Sequence, residues 1–210
     1  MAGELEGRVI VVTGAEGDIG RATVGRLAAE GAQLVLTDLR AEVAEVADEV
    51  VKQGGSAVAV QADVTRAEDC ARIAAAAREA FGGVDALINN HGAIVGAPFL
   101  ETTEEQWDFV HGVVLKSIFL VSREIVPLMA DRDGANVVNI ASTGVQGRVH
   151  QHLDSSIGSG WSGSSFATPG AADGLYAFGV TLSAGGGGPQ HRGKPCTARP
   201  RRLAGYRAGG

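Results

Sequence analysis

The sequence predicts an α/β protein built on a doubly wound parallel sheet. Over roughly the first 140 residues, short runs of aliphatic and β-branched residues alternate with segments of helical periodicity. The first run, RVIVVTG at residues 8–14, has no alternation of polar and apolar residues and is therefore typical of a strand that is covered on both faces. Repeated strand–helix units of this kind are joined by right-handed crossovers, which makes the sheet parallel.

The predicted elements follow one another with short connections. The helix after the first strand has apolar residues at helical spacing from Ile19 to Glu30, and Gly31 stops it. Further strands are predicted at residues 32–38, 57–63, 85–90 and 135–142, and further helices at 41–52, 66–81 and 103–131. The last helix opens with a capping box, Thr103 with Gln106. Because ligands of such sheets bind at the carboxyl ends of the strands, we expect the functional site there.

Composition limits the number of domains and the classes of partner. A chain of 210 residues with 45% hydrophobic residues suits one packed domain. The net charge of −6 offers no basic surface for nucleic acid or an anionic membrane, so we expect a small-molecule or protein partner. Cys70 and Cys196 have no metal-binding or CxxC spacing; no metal site is predicted, and both thiols are expected to be inert. No apolar run is long enough for a membrane span and no signal sequence is evident, so a cytoplasmic protein is predicted.

Residues 13–20 (TGAEGDIG) carry the main functional signal. Gly14, Gly17 and Gly20 stand between the first strand and its helix, where a backbone without side chains lets a pyrophosphate approach the helix N-terminus. Asp38 ends the second strand, where a carboxylate accepts hydrogen bonds from both adenosine ribose hydroxyls. Its charge would repel a 2′-phosphate, so NAD is predicted as the cofactor in preference to NADP. The alternative is a plain tight turn and a solvated Asp38.

Several motifs between about residues 7 and 142 resemble those of the short-chain dehydrogenase/reductase family, which includes 3-oxoacyl carrier-protein reductases. They are TGAEGDIG at 13–20, LTDLR at 36–40, ADVT at 62–65, NNHG at 89–92, EEQWDFVHGVVLKSIFLVSREIVPLM at 104–129 and NIAS at 139–142. The resemblance implies a Rossmann-like sheet and hydride transfer between a nicotinamide cofactor and a small alcohol or ketone. It also implies a homo-oligomer built on the helices near 103–131 and 165–184.

By this resemblance the site has a cofactor part and a catalytic part. The phosphate loop adds Glu16, Asp18 and Ile19 to its glycines, and Leu39 joins Asp38 near the ribose. The remaining implied residues are Asp63 and Val64 beside the adenine, Asn90, His91 and Gly92 beside the nicotinamide ribose, and Ser142 as the hydrogen-bond donor to the substrate carbonyl.

Three residues depart from the family pattern. Asp18 stands where the usual TGxxxGxG has glycine, so the loop fits TGxxGxxG instead, and Asp18 is predicted to cap the helix. His91 replaces the alanine of NNAG, where a neutral filler of the loop is favoured over a titrating imidazole beside the nicotinamide. Val114 stands where the family's catalytic asparagine holds a bend and a water, and valine is expected to hold neither.

The largest departure follows Ser142. The family continues Ser-x12-Tyr-x3-Lys, in which the tyrosine donates a proton to the carbonyl and the lysine lowers the pKa of the tyrosine. Counting forward leads to Ser155 and Ser159. If residues 166–184 are aligned with the helix that normally carries this pair, the positions become Ser165 and Pro169. Neither alignment restores the chemistry.

No other residues supply the missing pair. The two tyrosines, Tyr176 and Tyr206, form no Tyr-x3-Lys with Lys194, which is the only lysine after residue 116. Tyr176 lies some three helical turns from the usual position in the second alignment, so it is not expected to replace the proton donor. Loss of a general acid costs roughly 10²–10⁴-fold in rate, so catalysis is predicted to be impaired. The alternative is a non-catalytic nucleotide-binding or scaffold protein.

Composition changes in the last third of the chain. Residues 143–210 hold 16 of the 31 glycines and no glutamate. Residues 185–210 are rich in glycine and arginine and are predicted to be an irregular tail of a domain at 1–184. Read one nucleotide later, a permitted back-translation of PQHRGKPCTARP resembles the family's sixth strand. The tail is therefore hypothesised to be out of frame, with the sheet truncated after strand five or six, and its basic residues are not expected to bind nucleic acid.

Overall fold

The computed structural model describes residues 3–95, 101–141 and, for the backbone alone, 177–181. The strands are β1 (Val9–Thr13), β2 (Gln33–Asp38), β3 (Ser56–Gln61), β4 (Ala86–Asn89), β5 (Asn136–Ala141) and β6 (Ala177–Thr181). The helices are α1 (Asp18–Ala29), α2 (Val43–Lys52), α3 (Ala67–Phe81), α4 (Glu104–His111) and α5 (Ser117–Ile125). Up to residue 90, each predicted boundary agrees with the structure within two residues.

All strand pairs in the described ranges are parallel, and their order is β3-β2-β1-β4-β5-β6. The chain adds β2 and β3 on one side of β1 and then crosses to add β4 on the other side. The predicted doubly wound fold is thereby confirmed. A ligand crevice is expected where β1 and β4 adjoin at their carboxyl ends, because the direction of winding reverses there.

Helices cover the sheet on both faces. On one face, Val11 of β1 belongs to a buried cluster with Ile73 of α3 and Val121 of α5. On the other face, Val12 belongs to a second cluster with residues that include Val24 of α1. Every residue of β1 is buried, as the unbroken apolar run predicted.

The long helix predicted at 103–131 begins as expected and then changes geometry. The capping box is confirmed: Thr103 Oγ1 accepts a hydrogen bond from the Gln106 N–H, and the Gln106 side chain accepts one from the Thr103 N–H. After α4 the chain forms a π-helical turn at Gly112–Lys116, continues as α5, and tightens into a 3₁₀ turn at Val126–Met129.

A π-helical turn is therefore present around Val114, where the resemblance implied an asparagine that holds a bend and a water. Val114 itself is buried and contributes packing. The turn ends at Ser117, whose N–H bonds to the Gly112 carbonyl in the π pattern and whose hydroxyl donates to the Val113 carbonyl. A serine hydroxyl that bonds back to the preceding turn is a known cause of helix bending. The π turn therefore ends at a serine that bonds back to it, and it has no polar side chain at position 114.

Residues 177–181 correct the alignment of residues 166–184 with a helix. They form β6, which pairs in parallel with β5 from Val137↔Ala177 to Ala141↔Thr181. The edge of β5 offers main-chain N–H and C=O groups with which an extended segment can form hydrogen bonds. This pairing favours a strand at residues where the alignment had suggested a helix. At these residues a strand is therefore found where the resemblance implied a second helix for an oligomer face.

Candidate functional site

A cavity of about 1110 Å³ opens at the carboxyl ends of the central strands. Twelve of the predicted cofactor residues line it, namely Gly14, Gly17, Asp18, Ile19, Gly20, Asp38, Leu39, Asp63, Val64, Asn90, His91 and Gly92. One wall of the cavity was not predicted. It comes from α4 and the π turn through Asp108, Phe109, Gly112 and Val113. Tertiary folding thus brings four separate sequence motifs and one unpredicted helix face to one site.

The glycine-rich loop is shaped by two glycines. Gly14 has a φ of +62°, and a Cβ placed there would lie 2.9 Å from the Cα of His91. A Cβ at Gly20 would overlap the Gly14 carbonyl oxygen and lie 2.8 Å from the Cα of Ala15. The backbone of the loop therefore packs against itself at Gly20 and against the segment after β4 at Gly14. A side chain at either glycine would prevent this packing.

The N-terminus of α1 faces this cavity without a side-chain cap. Gly17 is the N-cap residue, no side chain caps the helix there, and the first helical bond runs from the Arg21 N–H to the Gly17 carbonyl. Asp18 is the first helical residue and is exposed, so the prediction that it caps the helix is wrong. The first-turn N–H groups of an α-helix have no acceptor within the helix and are free to bind an anion.

Asp38 is held at the end of β2 by both of its oxygens. Its Oδ2 accepts the Glu16 N–H at 3.1 Å, and its Oδ1 accepts the Arg40 N–H at 3.1 Å. Each carboxylate oxygen accepts more than one hydrogen bond, so the group keeps acceptor capacity toward the cavity that it lines.

Glu16 is the one predicted cofactor residue that does not line the cavity. Its largely buried carboxylate forms ion pairs with Arg40 and, at 3.7 Å, with Arg21. Arg40 does line the cavity, and its Nε lies 3.8 Å from Asp38 Oδ1. Sequence reasoning missed Arg40 as a site residue, although its position two residues after Asp38 was the available signal.

The predicted adenine residues belong to a self-contained turn. Asp63 Oδ1 accepts both the N–H of Thr65, at 2.9 Å, and its hydroxyl, at 2.7 Å. Val64 packs against the core cluster of α3 and α5, and its carbonyl oxygen faces Cys70 Sγ at 3.4 Å. Burial raises the pKa of the Cys70 thiol to about 11, with a further contribution from Glu124, so this thiol stays protonated near neutral pH.

Asn90 joins the loop after β4 to the glycine-rich loop. Its side-chain N–H₂ donates to the Gly14 carbonyl at 2.9 Å, and its backbone N–H donates to Thr13 Oγ1 at 3.0 Å. Gly92, next along the loop, is exposed and has open space around it. The two loops are thus fixed to each other, with an open wall on the cavity side.

His91 lies between two hydroxyl groups. Its Nδ1 is 2.6 Å from Thr13 Oγ1, and its Nε2 is 2.6 Å from Ser117 Oγ. Burial lowers the pKa of His91 to about 4, with Asp38 acting in the opposite direction, so the imidazole is neutral near pH 7. The neutral interpretation is therefore supported, but the ring does more than fill the loop because both nitrogens have partners.

The predicted catalytic residue Ser142 lies outside the described residues, as do Ser155, Ser159, Ser165, Pro169, Tyr176, Lys194 and the whole of 185–210. Within residues 3–95 and 101–141, no cluster of three His, Cys, Asp or Glu side chains could hold a metal ion. The helices of that same part of the chain include none that combines the length and apolarity needed to cross a membrane.

The chain belongs to the short-chain dehydrogenase family, whose model matches residues 8–156. An uncharacterized oxidoreductase of Mycobacterium bovis is 38% identical over 149 residues, which are 71% of this chain and 60% of that protein. The 2,5-dichloro-2,5-cyclohexadiene-1,4-diol dehydrogenase of Sphingobium indicum is 36% identical over 143 residues, 68% of this chain and 57% of that protein. The chain therefore spans about three fifths of the length of these curated relatives.

Solved structures agree with this assignment. A short-chain dehydrogenase/reductase of the glucose/ribitol dehydrogenase type from Brucella melitensis has a TM-score of 0.68 at 30% identity, covering 77% of this chain and 67% of its own. A short chain dehydrogenase from Mycobacterium smegmatis has a TM-score of 0.68 at 32% identity, covering 76% and 69%. The chain is thus an oxidoreductase-family protein with a Rossmann-like fold.

Proposed function

We propose that the protein is an NAD-dependent oxidoreductase of the short-chain dehydrogenase/reductase type, which transfers hydride between NAD(H) and a secondary alcohol or ketone. The observation that carries the proposal is Asp38, which is fixed through both oxygens in the wall of the cavity, beside an uncapped helix N-terminus. An acceptor-only group suits ribose hydroxyls and disfavours a 2′-phosphate.

The residues present fit a dinucleotide. Gly14 and Gly20 have no room for a side chain, and the first turn of α1 offers N–H donors to a pyrophosphate. Asp63 and Val64 would border the adenine, while Asn90 and Gly92 would border the nicotinamide ribose. When bound, the nicotinamide supplies the hydride chemistry, and the protein supplies binding and orientation.

We further propose that turnover by this chain is impaired. Ser142 would still hydrogen-bond a substrate carbonyl, but the sequence has no Tyr-x3-Lys to donate the proton. A relative named as a diol dehydrogenase supports an alcohol as the substrate class. The second candidate, a nucleotide-binding protein without catalysis, is favoured by the same missing pair.

Calorimetric titration with NAD and NADP tests the cofactor proposal. The wild type is expected to bind NAD at least about tenfold more tightly than NADP, and Asp38→Asn to lose that preference, since a repulsive charge and an acceptor are removed together. Asp48→Asn, an exposed carboxylate on α2, is the matched control and should leave the preference unchanged. Equal or tighter binding of NADP by the wild type would overturn the role of Asp38.

A panel of secondary alcohols with NAD, followed by NADH absorbance, separates the two candidate functions. Slow but cofactor-dependent oxidation supports an impaired enzyme, whereas NAD binding with no oxidation of any alcohol supports the non-catalytic candidate. A rate typical of intact enzymes, about 10 s⁻¹, would contradict impairment.

We also propose that the protein is cytoplasmic, that it forms a homo-oligomer, and that it consists of a domain at 1–184 and a tail at 185–210 that is out of frame. Sequencing the coding DNA around codon 185 tests the last: codons that cannot yield the shifted reading would end the hypothesis.

A further inference from the structure

A continuous row of hydrogen bonds crosses the molecule between the glycine-rich loop and the π turn. It runs from the Asn90 N–H to Thr13 Oγ1 at 3.0 Å, on to His91 Nδ1 at 2.6 Å, from His91 Nε2 to Ser117 Oγ at 2.6 Å, and from that hydroxyl to the Val113 carbonyl. We call these four links the His91 bridge. The two links of the His91 ring join it to residues 78 and 26 positions away in sequence, Thr13 and Ser117.

The donor in each link follows from the ends of the bridge inward. A carbonyl only accepts, so Ser117 gives its single hydroxyl proton to Val113 and must accept from His91 Nε2. The proton of the neutral imidazole is therefore on Nε2, which leaves Nδ1 as an acceptor. The Thr13 hydroxyl has two possible acceptors, Nδ1 at 2.6 Å and the Ile88 carbonyl at 3.3 Å, and we assign its proton to the nearer one. The Thr13 oxygen in turn accepts the Asn90 N–H. One tautomer satisfies every link, so the chain of bonds has a direction.

Both ends of the bridge are walls of the cavity. At one end, the backbone of His91 lies so close to Gly14 that a Cβ there would be 3.0 Å from the His91 nitrogen. At the other end, Val113 lines the cavity and belongs to the π turn that Ser117 closes. The length of one imidazole ring and two hydroxyls therefore sets the separation of the two walls.

We propose that His91 is a positioning residue, which acts as a neutral imidazole with its proton on Nε2 to hold the π-turn wall at a fixed distance from the glycine-rich loop. It does so through Ser117 and Thr13 and needs no contact of the ring with substrate. The consequence for ligand binding rests on the proposed dinucleotide site, whereas the tautomer and its dependence on Ser117 do not.

The first test uses the full chain without ligand. Nitrogen-15 spectra of the histidine rings at pH 7 should show His91 neutral with its proton on Nε2, and its signals are identified among the five histidines by their loss in His91→Gln. In Ser117→Ala the Nε2 proton should exchange with solvent at least about tenfold faster, because its acceptor is removed. Ser122→Ala, the same change on α5, is the matched control. A proton on Nδ1, a charged ring, or no effect of Ser117→Ala would overturn the proposal.

The second test measures NAD affinity by calorimetry. His91→Ala should weaken binding about tenfold, and His91→Gln about threefold or less, because glutamine places an N–H near the position of Nε2. The double variant with Ser117→Ala should bind no more weakly than His91→Ala alone, since both changes break one bridge. If the losses of NAD affinity from His91→Ala and Ser117→Ala multiply in the double variant, the proposal is overturned.

Circular dichroism and Tm identify variants that fail to fold. If His91→Ala does not fold, the two milder single variants, His91→Gln and Ser117→Ala, are used for the test. If the wild type binds no dinucleotide, the proposed function fails by itself. The ring spectra then decide the His91 bridge alone, through the site of the proton and its response to Ser117→Ala.

Discussion

The two ends of the cavity are built in opposite ways. At the end near Asp38, which we propose binds the adenosine and call the adenosine end, Asp38 is held by neighbouring N–H groups, while Glu16 pairs with Arg40. At the end near His91, which we propose binds the nicotinamide and call the nicotinamide end, neutral groups from distant segments are joined through His91 and Ser117. Both ends are partly exposed, since Asp38 and His91 each line the cavity and are only half-buried.

This difference teaches which property each end controls. Charges close to solvent are screened, so they discriminate between ligands by modest free energies and respond to salt. Hydrogen bonds among buried groups are costly to leave unmade, so they fix geometry. We therefore expect changes at the adenosine end to alter which cofactor binds, and changes at the nicotinamide end to alter whether the site keeps its shape.

The strongest disruption is expected at Gly20, in the glycine-rich loop. In Gly20→Ala the new Cβ would overlap the Gly14 carbonyl, so the glycine-rich loop has to move. We expect a loss of about 2–3 kcal/mol in the free energy of unfolding, together with loss of dinucleotide binding, measured by urea denaturation and calorimetry.

Gly25→Ala is the matched control on the same helix. A Cβ at Gly25 meets no atom within 4 Å, and alanine favours the helix, so this variant should gain about 0.5–1 kcal/mol. Equal effects of the two substitutions would contradict the close backbone packing at Gly20.

Acid is the next test, and it addresses the nicotinamide end. The pKa of His91 is lowered from 6.5 to about 4 in the folded chain, so between these values the unfolded chain binds a proton that the folded chain does not. The contribution of His91 to the free energy of unfolding is fully present above pH 6.5. It decreases as the pH falls toward 4, by at most about 1.4 kcal/mol per pH unit. Urea unfolding from pH 7 to pH 4.5 measures the slope.

His91→Gln supplies the reference for the other groups that titrate in this window. The difference in slope between wild type and variant isolates the histidine, and it should be positive over the whole range. Identical slopes would show that the imidazole is protonated as readily in the folded chain as in the unfolded one.

A smaller effect is expected at the adenosine end from Glu16→Gln. The carboxylate of Glu16 holds the Arg40 guanidinium, and its neutral isostere frees that charge to meet a 2′-phosphate. NADP affinity should rise about two- to fivefold with NAD affinity nearly unchanged, measured by calorimetry at low salt. Adding Arg40→Ala should remove the gain, and a gain that survives in the double variant would exclude Arg40 as its source.

The smallest effect concerns Cys70, behind the predicted adenine turn. The thiol is fully buried and its pKa is raised to about 11, so the native chain should react with a thiol reagent only as fast as it opens. A Cys196→Ser variant isolates this thiol, and the urea-unfolded chain gives the full rate for comparison. Rapid labelling of the folded variant would show that the reagent reaches the Cys70 thiol without opening of the chain.

The adenosine end could be predicted from sequence because its signals are local. The glycines and Asp38 belong to one strand–helix–strand unit, and the helix N-terminus follows from the same pattern. The cap was wrongly assigned to Asp18 since the backbone at Gly17, one residue earlier, already takes the cap position. Arg40 was missed because its partner, Glu16, is 24 residues away along the chain and meets it only in the folded structure.

The nicotinamide end could not be predicted in the same way. His91 was recognised as unusual, but nothing in the order of residues pairs it with Thr13 and Ser117. The π turn around Val114 was not predicted, because the role of this position was inferred from the identity of one residue. β6 was assigned to a helix because local alignment carries no information about the main-chain groups that β5 leaves open.

The sequence by itself determined the doubly wound sheet, the family and the position of the glycine-rich loop, because apolar periodicity and glycine spacing act over a few residues. Tertiary structure alone decided the π-turn wall, the His91 bridge and the partner strand of β5. These depend on which distant hydroxyls, ring nitrogens and main-chain groups come within 3 Å or so of one another, and hydrogen-bond strength falls too steeply with distance for spacing along the chain to reveal them.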